Sequence, residues 1–230
     1  MNMPNHVDEI PQNSNIAAYL PFMAEKYPYT RAVVFPQGRD HQGRVSYTHY
    51  TFAQLERHSN LLAHGILSTG LKPGERVIVL VPPSMEFVVL SFALMKTGIV
   101  PVMIDPGMGI QRMVSCIGEV TPTGFFGCPK AHVARMIFPK YFTTVRVNVT
   151  VGKRYGWGGT TLEALASSKE NEPFEMHRPK EGEPSAIFFT TGSTGAPKGV
   201  VYTHSMMHAQ VRTIRTFFDI QPGEVDLPAF

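Results

Sequence analysis

The sequence predicts an α/β fold in which a parallel sheet is covered on both faces by helices. Two observations predict it. The runs VIVLV at 77–81 and VPVMI at 100–104 are apolar throughout instead of alternating, as in strands buried on both sides. Segments of helical period stand between such runs and end at glycines or turns. A content of 43% hydrophobic and 17% charged residues suits a folded chain with a sizeable core, and 230 residues suffice for one large domain or two small ones.

Asn15 to Tyr27 reads as a short amphipathic helix with Pro21 near its start. Ala32 to Phe35 and Val45 to Tyr50 are strand candidates, the second in period two. Thr51 then caps a long helix. Its positions Phe52, Leu55, Leu62, Ile66 and Leu67 keep one apolar face, and Gly70 stops it. Leu71-Lys72-Pro73-Gly74 is a turn.

Val77 to Val81 is the first fully apolar strand, and Ser84 to Thr97 is a helix ended by Gly98. The strand Val100 to Ile104, helix Gly109 to Val120, strand Gly124 to Gly127, helix Lys130 to Phe138 and strand Val145 to Val151 continue the alternation. Gly152 to Pro184 is irregular and largely polar, a surface connection within which Thr160-x-x-Glu163 reads as the capping box of a short helix. Ser185 begins another strand, Ser205 to Phe218 is helical, and Gln221-Pro222-Gly223 is a turn. No internal repeat is visible.

Composition narrows the partners. Net charge is +3, with the basic residues scattered and not interleaved with aromatics, which argues against nucleic acid as the main partner. The two cysteines, Cys116 and Cys128, lie in apolar stretches and read as buried free thiols of a reduced, cytoplasmic chain. The N-terminal residues lack the charged and apolar regions of a secretory leader. The longest apolar-rich run, Phe87 to Met95, is far short of the ~20 residues that span a bilayer.

Residues 186–204, AIFFTTGSTGAPKGVVYTH, carry the chemistry. Thr190, Thr191, Ser193 and Thr194 supply hydroxyl donors, and Lys198 supplies a point charge. Gly192, Gly195 and Gly199 let backbone amides approach a polyanion. This is the composition of a phosphate cradle. It is not a Walker-type loop, because the glycine spacing differs and Gly199, not Ser or Thr, follows the lysine. The β-formers Val200-Val201-Tyr202 show that a strand follows, so no helix dipole is available at Lys198. The loop therefore joins two strands and holds its ligand by amides and hydroxyls. Each hydrogen bond to a charged phosphate contributes roughly 1.5–3 kcal/mol, so three or four suffice. Pro197 stiffens the loop beside the lysine, against a merely flexible linker.

TTGSTGAPKGV followed by Thr203-His204 resembles the phosphate-loop signature of the adenylate-forming superfamily of acyl-CoA synthetases, peptide-synthetase adenylation domains and luciferases. Residues 50–55 (YTFAQL), 74–77 (GERV), 93–98 (ALMKTG), Pro101-Val102 and Asp105-Pro106 agree with it, so the resemblance covers nearly the whole chain. Within the superfamily, VGKRYGWGGTTLEAL and the ending GEVDLPAF look most like olefin β-lactone synthetases and peptide-synthase-like chains.

The resemblance implies that the alternating strands and helices form part of the large N-terminal domain of an adenylate-forming enzyme, with ATP and Mg²⁺ as cofactors. It implies cofactor-binding roles for Thr190, Thr191, Gly192, Ser193, Thr194, Gly195 and Lys198, with Lys198 also catalytic, on the β- and γ-phosphates. It implies a carboxylic-acid substrate, for β-lactone synthetases a long-chain β-hydroxy acid, and partner enzymes of hydrocarbon or lipid biosynthesis. Phe230 stands where the family shows an aromatic or histidine beside the acyl pocket. The family's later motifs do not occur in residues 1–230, and the ending Asp226-Leu227-Pro228-Ala229-Phe230 is abrupt and apolar. Residues 1–230 are therefore expected to be an incomplete N-terminal AMP-binding domain that does not complete adenylation alone. A fatty acyl-CoA ligase or a peptide-synthetase adenylation domain is the alternative reading, and a truncated, non-catalytic nucleotide-binding or interaction module is the alternative of a different class.

Other candidates read as structural. His204 and His208 share a helix face, but no Glu follows His204, so packing is expected and not a zinc pair. Gly156-Trp157-Gly158-Gly159 lacks dinucleotide spacing and reads as a tight loop against the core, from which Lys153, Arg154 and Tyr155 can reach a ligand. Asp105-Pro106 is turn chemistry. Met85, Met95, Met206 and Met207 read as core.

Overall fold

The computed structural model describes residues 13–167, 174–190 and 197–227. In chain order its elements are α1 (Tyr19–Lys26), β1 (Arg31–Arg39), β2 (Val45–Thr51), α2 (Phe52–Ser68), β3 (Arg76–Leu80), α3 (Met85–Thr97), β4 (Val100–Ile104) and α4 (Ile110–Val120). Then come β5 (Gly124–Gly127), α5 (Pro129–Ile137), β6 (Val147–Thr150), β7 (Thr160–Thr161), α6 (Leu162–Ala166), β8 (Pro184–Thr190), β9 (Lys198–Thr203) and α7 (His204–Phe217).

The main sheet has the order β7-β6-β5-β3-β4-β8-β9, and every pair is parallel except β8 with β9. β1 and β2 form a separate antiparallel pair, joined through the turn at Asp40–Gly43. The expected parallel sheet is therefore present, with an antiparallel strand at one edge.

The pleat divides the core in two. Val77 and Val79 of β3 point to the face covered by α2, α3 and α6, where they meet Leu62, Ile66, Leu90, Leu94, Leu165, Phe126 and Val149. Ile78, between them, points to the opposite face and joins Val102, Ile104, Phe125, Val114 and Ile117. Both faces need cover, which explains why these strands are apolar at successive positions.

Local chemistry sets the helix ends. Thr51 Oγ1 accepts from Gln54 N at 3.3 Å while Gln54 Oε1 accepts from Thr51 N at 2.9 Å, a full capping box. Gly98 ends α3 at φ +70°, and the His177 ring occupies the space of a Cβ, its Cδ2 2.4 Å from that position.

Several expectations are corrected. Leu67 is 37% exposed, because α2 buries the stripe Leu55, Leu62, Ala63 and Ile66, and Leu67 lies about 100° beyond Ile66. The cap of α6 is Thr161, whose Oγ1 accepts from Ala164 N at 3.2 Å. Thr160 and Thr161 both pair with β6, and the helix starts one residue later than the sequence implies. Met85 is buried as expected, but Met206 is 54% exposed on α7. Cys116 is buried and Cys128 half-buried, both as thiols.

Lys96 is the core residue least expected from composition. Its side chain has no exposure, and its ammonium donates to Glu56 Oε2 (2.6 Å), Ser59 Oγ (2.8 Å) and Asn60 Oδ1 (2.7 Å). All three protons are used, which ties α3 to α2. Burial lowers the lysine's pKa and the Glu56 carboxylate opposes that shift.

Candidate functional site

The candidate loop is carried by the β8–β9 hairpin. β8 is held in the sheet interior by parallel pairing with β4, and Ser185, Ala186, Ile187 and Phe189 are buried. Its antiparallel partner β9 is an edge strand, with Lys198, Gly199, Val200 and Val201 exposed. Thr190, the last residue of β8, is the register partner of Lys198, the first of β9. Both side chains are exposed at the mouth of the loop. The sequence-based expectation of a loop between two strands, with no helix at Lys198, agrees with this geometry.

Gly199 has a role that spacing alone did not reveal. It pairs with Phe189, and a Cβ on it would lie 3.0 Å from the Phe189 ring. The ring therefore lies across the glycine, packing the strand pair directly behind the loop mouth. A glycine opposite an aromatic across a hairpin is the sequence signal from which this role could have been read.

The mouth lies at the carboxyl end of the parallel strands, where open α/β sheets place their ligands. β4 ends beside it, since Ile104 pairs with Phe189, so Asp105 and Thr190 leave the sheet as neighbours. Asp105 Oδ1 accepts from Gly107 N at 2.8 Å, the turn role read from Asp105-Pro106.

Thr190 and Lys198 are thus brought together. Thr191, Gly192, Ser193, Thr194 and Gly195 lie outside the described residues, as does Phe230. The described groups at the mouth are the Thr190 hydroxyl, which donates as well as accepts, and the Lys198 ammonium, which only donates, a pair suited to an anion. Among the described residues no cluster of three His, Cys, Asp or Glu side chains could hold a metal ion.

The His204–His208 pair lies at the opposite edge. Thr203 pairs with Pro184, so α7 starts where β8 begins. His204 Nδ1 accepts from Ile16 N at 3.1 Å, and His208 lies 3.0 Å from Ser14 O and 3.3 Å from Tyr19 Oη. Both pin the N-terminal segment to α7, the packing role expected. Burial pushes the His204 pKa down to about 4, against the pull of Glu183. Burial raises Glu183, but the Lys180 amide and the His177 ring, 2.6 Å away, leave it lowered overall. A cavity of about 490 Å³ opens there, lined by Tyr19, Lys180, His204, His208 and Arg212 among others, at the opposite end of the β8–β9 hairpin from the loop mouth.

The Gly156–Gly159 loop also packs as expected. Trp157 stacks on the buried His132 ring with centroids 5.2 Å apart, and its Nε1 donates to Thr150 Oγ1 at 2.9 Å. Burial lowers the His132 pKa.

A family model described as AMP-binding enzyme matches residues 22–227. An olefin beta-lactone synthetase of Xanthomonas campestris pv. campestris is 40% identical over 217 residues, and one of Stenotrophomonas maltophilia is 42% identical over 220. Each match covers 94% of this chain and 39% of the relative, so the chain spans about two fifths of their length. The acetoacetyl-CoA synthetase of Streptomyces lividans shares the fold at TM-score 0.78 and 20% identity, over 91% of this chain and 33% of that one. A long-chain-fatty-acid-CoA ligase of Archaeoglobus fulgidus does so at TM-score 0.76 and 22% identity, over 96% of this chain and 42% of that one.

Proposed function

Because the chain belongs to the AMP-binding enzyme family, we propose that it carries the triphosphate grip of an ATP-dependent enzyme that activates a carboxylic acid as its acyl-adenylate. The observation that carries this reading is the β8–β9 hairpin, which sets Thr190 and Lys198 as partners at the two ends of a glycine- and hydroxyl-rich loop. Residues 1–230 are then the first part of a longer AMP-binding domain.

In this reading Thr190, Thr191, Ser193 and Thr194 donate to oxygens of the β- and γ-phosphates. The amides around Gly192 and Gly195 approach them closely, and Lys198 balances their charge. The substrate carboxylate attacks the α-phosphorus, the bond to the β-phosphate oxygen breaks, and pyrophosphate leaves with its negative charge met by these donors. Mg²⁺ arriving with the nucleotide would supply further neutralisation of the phosphate charge. Phe230 is assigned to the acyl pocket on resemblance.

The acid is proposed to be a long-chain β-hydroxy acid, whose own hydroxyl closes on the activated carbonyl to give a β-lactone and release AMP. Proximity makes that second step intramolecular. The 40% and 42% identities to olefin beta-lactone synthetases support this choice over a CoA ligase, for which the identity is 26% in the long-chain-fatty-acid–CoA ligase FadD13 of Mycobacterium tuberculosis.

ATP–pyrophosphate exchange by the full-length protein tests the reading. Exchange dependent on β-hydroxy acids is expected, without any need for CoA. Turnover that requires CoA would favour the acyl-CoA ligase, and no exchange with any carboxylic acid would favour a non-catalytic module.

A further inference from the structure

Residues 120–162 contain six basic side chains, Lys130, Arg135, Lys140, Arg146, Lys153 and Arg154, and not one Asp or Glu. The chain as a whole is nearly balanced, with 21 basic and 18 acidic residues, so this segment concentrates one sign. Two of the six are committed within the fold. Arg146 lies 2.6 Å from Glu75 Oε2, and Arg135 donates to Trp157 O at 3.1 Å. Lys130, Lys140, Lys153 and Arg154 are exposed and have no carboxylate partner among the described residues.

In the same segment, exposed apolar side chains accompany these four. α5 buries Ala131, His132 and Ala134 and turns Val133, Met136 and Ile137 outward, with exposures of 47%, 58% and 63%. The spacing of 133, 136 and 137 places them on one face of the helix. Stacking of Trp157 on His132 and the bond from Arg135 hold the 153–157 loop against α5. That loop adds Tyr155, which is 56% exposed and lies under Lys153, with Nζ 5.3 Å from the ring.

The surface is a helix face and a loop tip held against it, with exposed apolar and basic side chains and no acidic side chain from its own segment. Partner proteins usually offer mixed signs at the rim, whereas a bilayer offers one sign over an apolar interior. We propose that α5 and the 153–155 loop tip dock on an anionic lipid bilayer. Val133, Met136, Ile137 and Tyr155 enter the headgroup boundary, and the four basic side chains meet lipid phosphates. A nine-residue helix buries too little to anchor irreversibly, so the contact is peripheral and salt-sensitive. The inference needs neither nucleotide nor turnover, so its failure and that of the acid-activation reading are distinguishable.

Co-sedimentation of the full-length protein with phosphatidylcholine vesicles, with and without roughly 30% phosphatidylglycerol, tests it. The expected result is at least about tenfold tighter binding to the anionic vesicles, lost near 0.5 M salt. The quadruple variant Lys130→Glu, Lys140→Glu, Lys153→Glu, Arg154→Glu is expected to abolish binding. The pair Met136→Ser and Ile137→Ser is expected to weaken it about tenfold with salt dependence kept. Should the quadruple variant fail to fold, the loop pair Lys153→Glu and Arg154→Glu carries the same expectation at reduced size. Equal binding to both vesicle types, no binding to either, or binding unchanged by charge reversal overturns the proposal. Capture of an acidic protein without vesicle binding overturns it as well and points to a protein partner.

Discussion

Thr190 and Lys198 are register partners, the last residue of β8 and the first of β9, so the hairpin ladder runs up to the mouth of the loop between them. A hydroxyl and an ammonium are thereby set at the rim by sheet pairing and not by the loop's own conformation. Lys198 is exposed on an edge strand, so its side chain does little for the fold. Lys198→Ala is expected to lower the rate of ATP–pyrophosphate exchange roughly 10- to 150-fold, the loss of one charged contact of 1.5–3 kcal/mol. The melting temperature should move little, within the usual surface range. Exchange unchanged in this variant would remove Lys198 from the triphosphate grip.

Gly199 faces Phe189 across the same hairpin. A Cβ there meets the ring at 3.0 Å, so Gly199→Val forces the ring aside. The expected cost is about 1–3 kcal/mol in urea unfolding. Pairing the change with Phe189→Leu should recover part of it, because the smaller side chain frees the space. A double-mutant cycle with no coupling would show that the two residues do not share that space.

The buried Lys96 and its partner Glu56 predict an asymmetry. Glu56→Ala leaves an ammonium without its charge partner in a closed site, and is expected to cost about 3–5 kcal/mol. Lys96→Met removes the charge and fills similar volume, so it should cost clearly less, although Glu56, Ser59 and Asn60 lose a donor. Equilibrium unfolding of the two variants checks the order. Equal costs would mean that burial of the charge is not what matters here.

His204 predicts a pH dependence. Its ring accepts the Ile16 amide and is therefore neutral in the fold, and its pKa is pushed down to about 4 from 6.5. Between those values the unfolded chain binds the proton and the folded chain does not. Stability therefore rises with pH through that window. It is fully present above about 6.5 and is lost as pH falls toward 4. His204→Gln should flatten the melting temperature against pH over the same range, measured against the parent chain. An unchanged slope would place the sensitivity elsewhere, with the lowered Glu183 carboxyl the next group to examine.

Much of this architecture was legible in the chain. The apolar runs 77–81 and 100–104 announced strands covered on both faces, and the split of Val77 and Val79 from Ile78 shows why. Thr51 and Gly98 marked helix ends through chemistry that acts within a few residues. What failed was set by partners distant in sequence. Residues 160–161 were drawn into pairing with β6, and the cap of α6 fell on Thr161 instead of Thr160. Leu67 was read onto a face that the neighbouring α3 and α6 do not reach.

The candidate site divides in the same way. Gly, Ser, Thr and Lys in residues 190–198, with β-formers after them, determined by themselves that a donor-rich loop joins two strands, because turn chemistry and strand propensity are local. Only the tertiary structure decided that β8 lies beside β4 and ends at the carboxyl edge of the sheet, since register and strand order depend on contacts between residues far apart in the chain. It alone separated His204 and His208 from that edge, sealed Lys96 among three acceptors, and turned Val133, Met136 and Ile137 outward on α5. Burial and juxtaposition are properties of packing, and no window of sequence contains them.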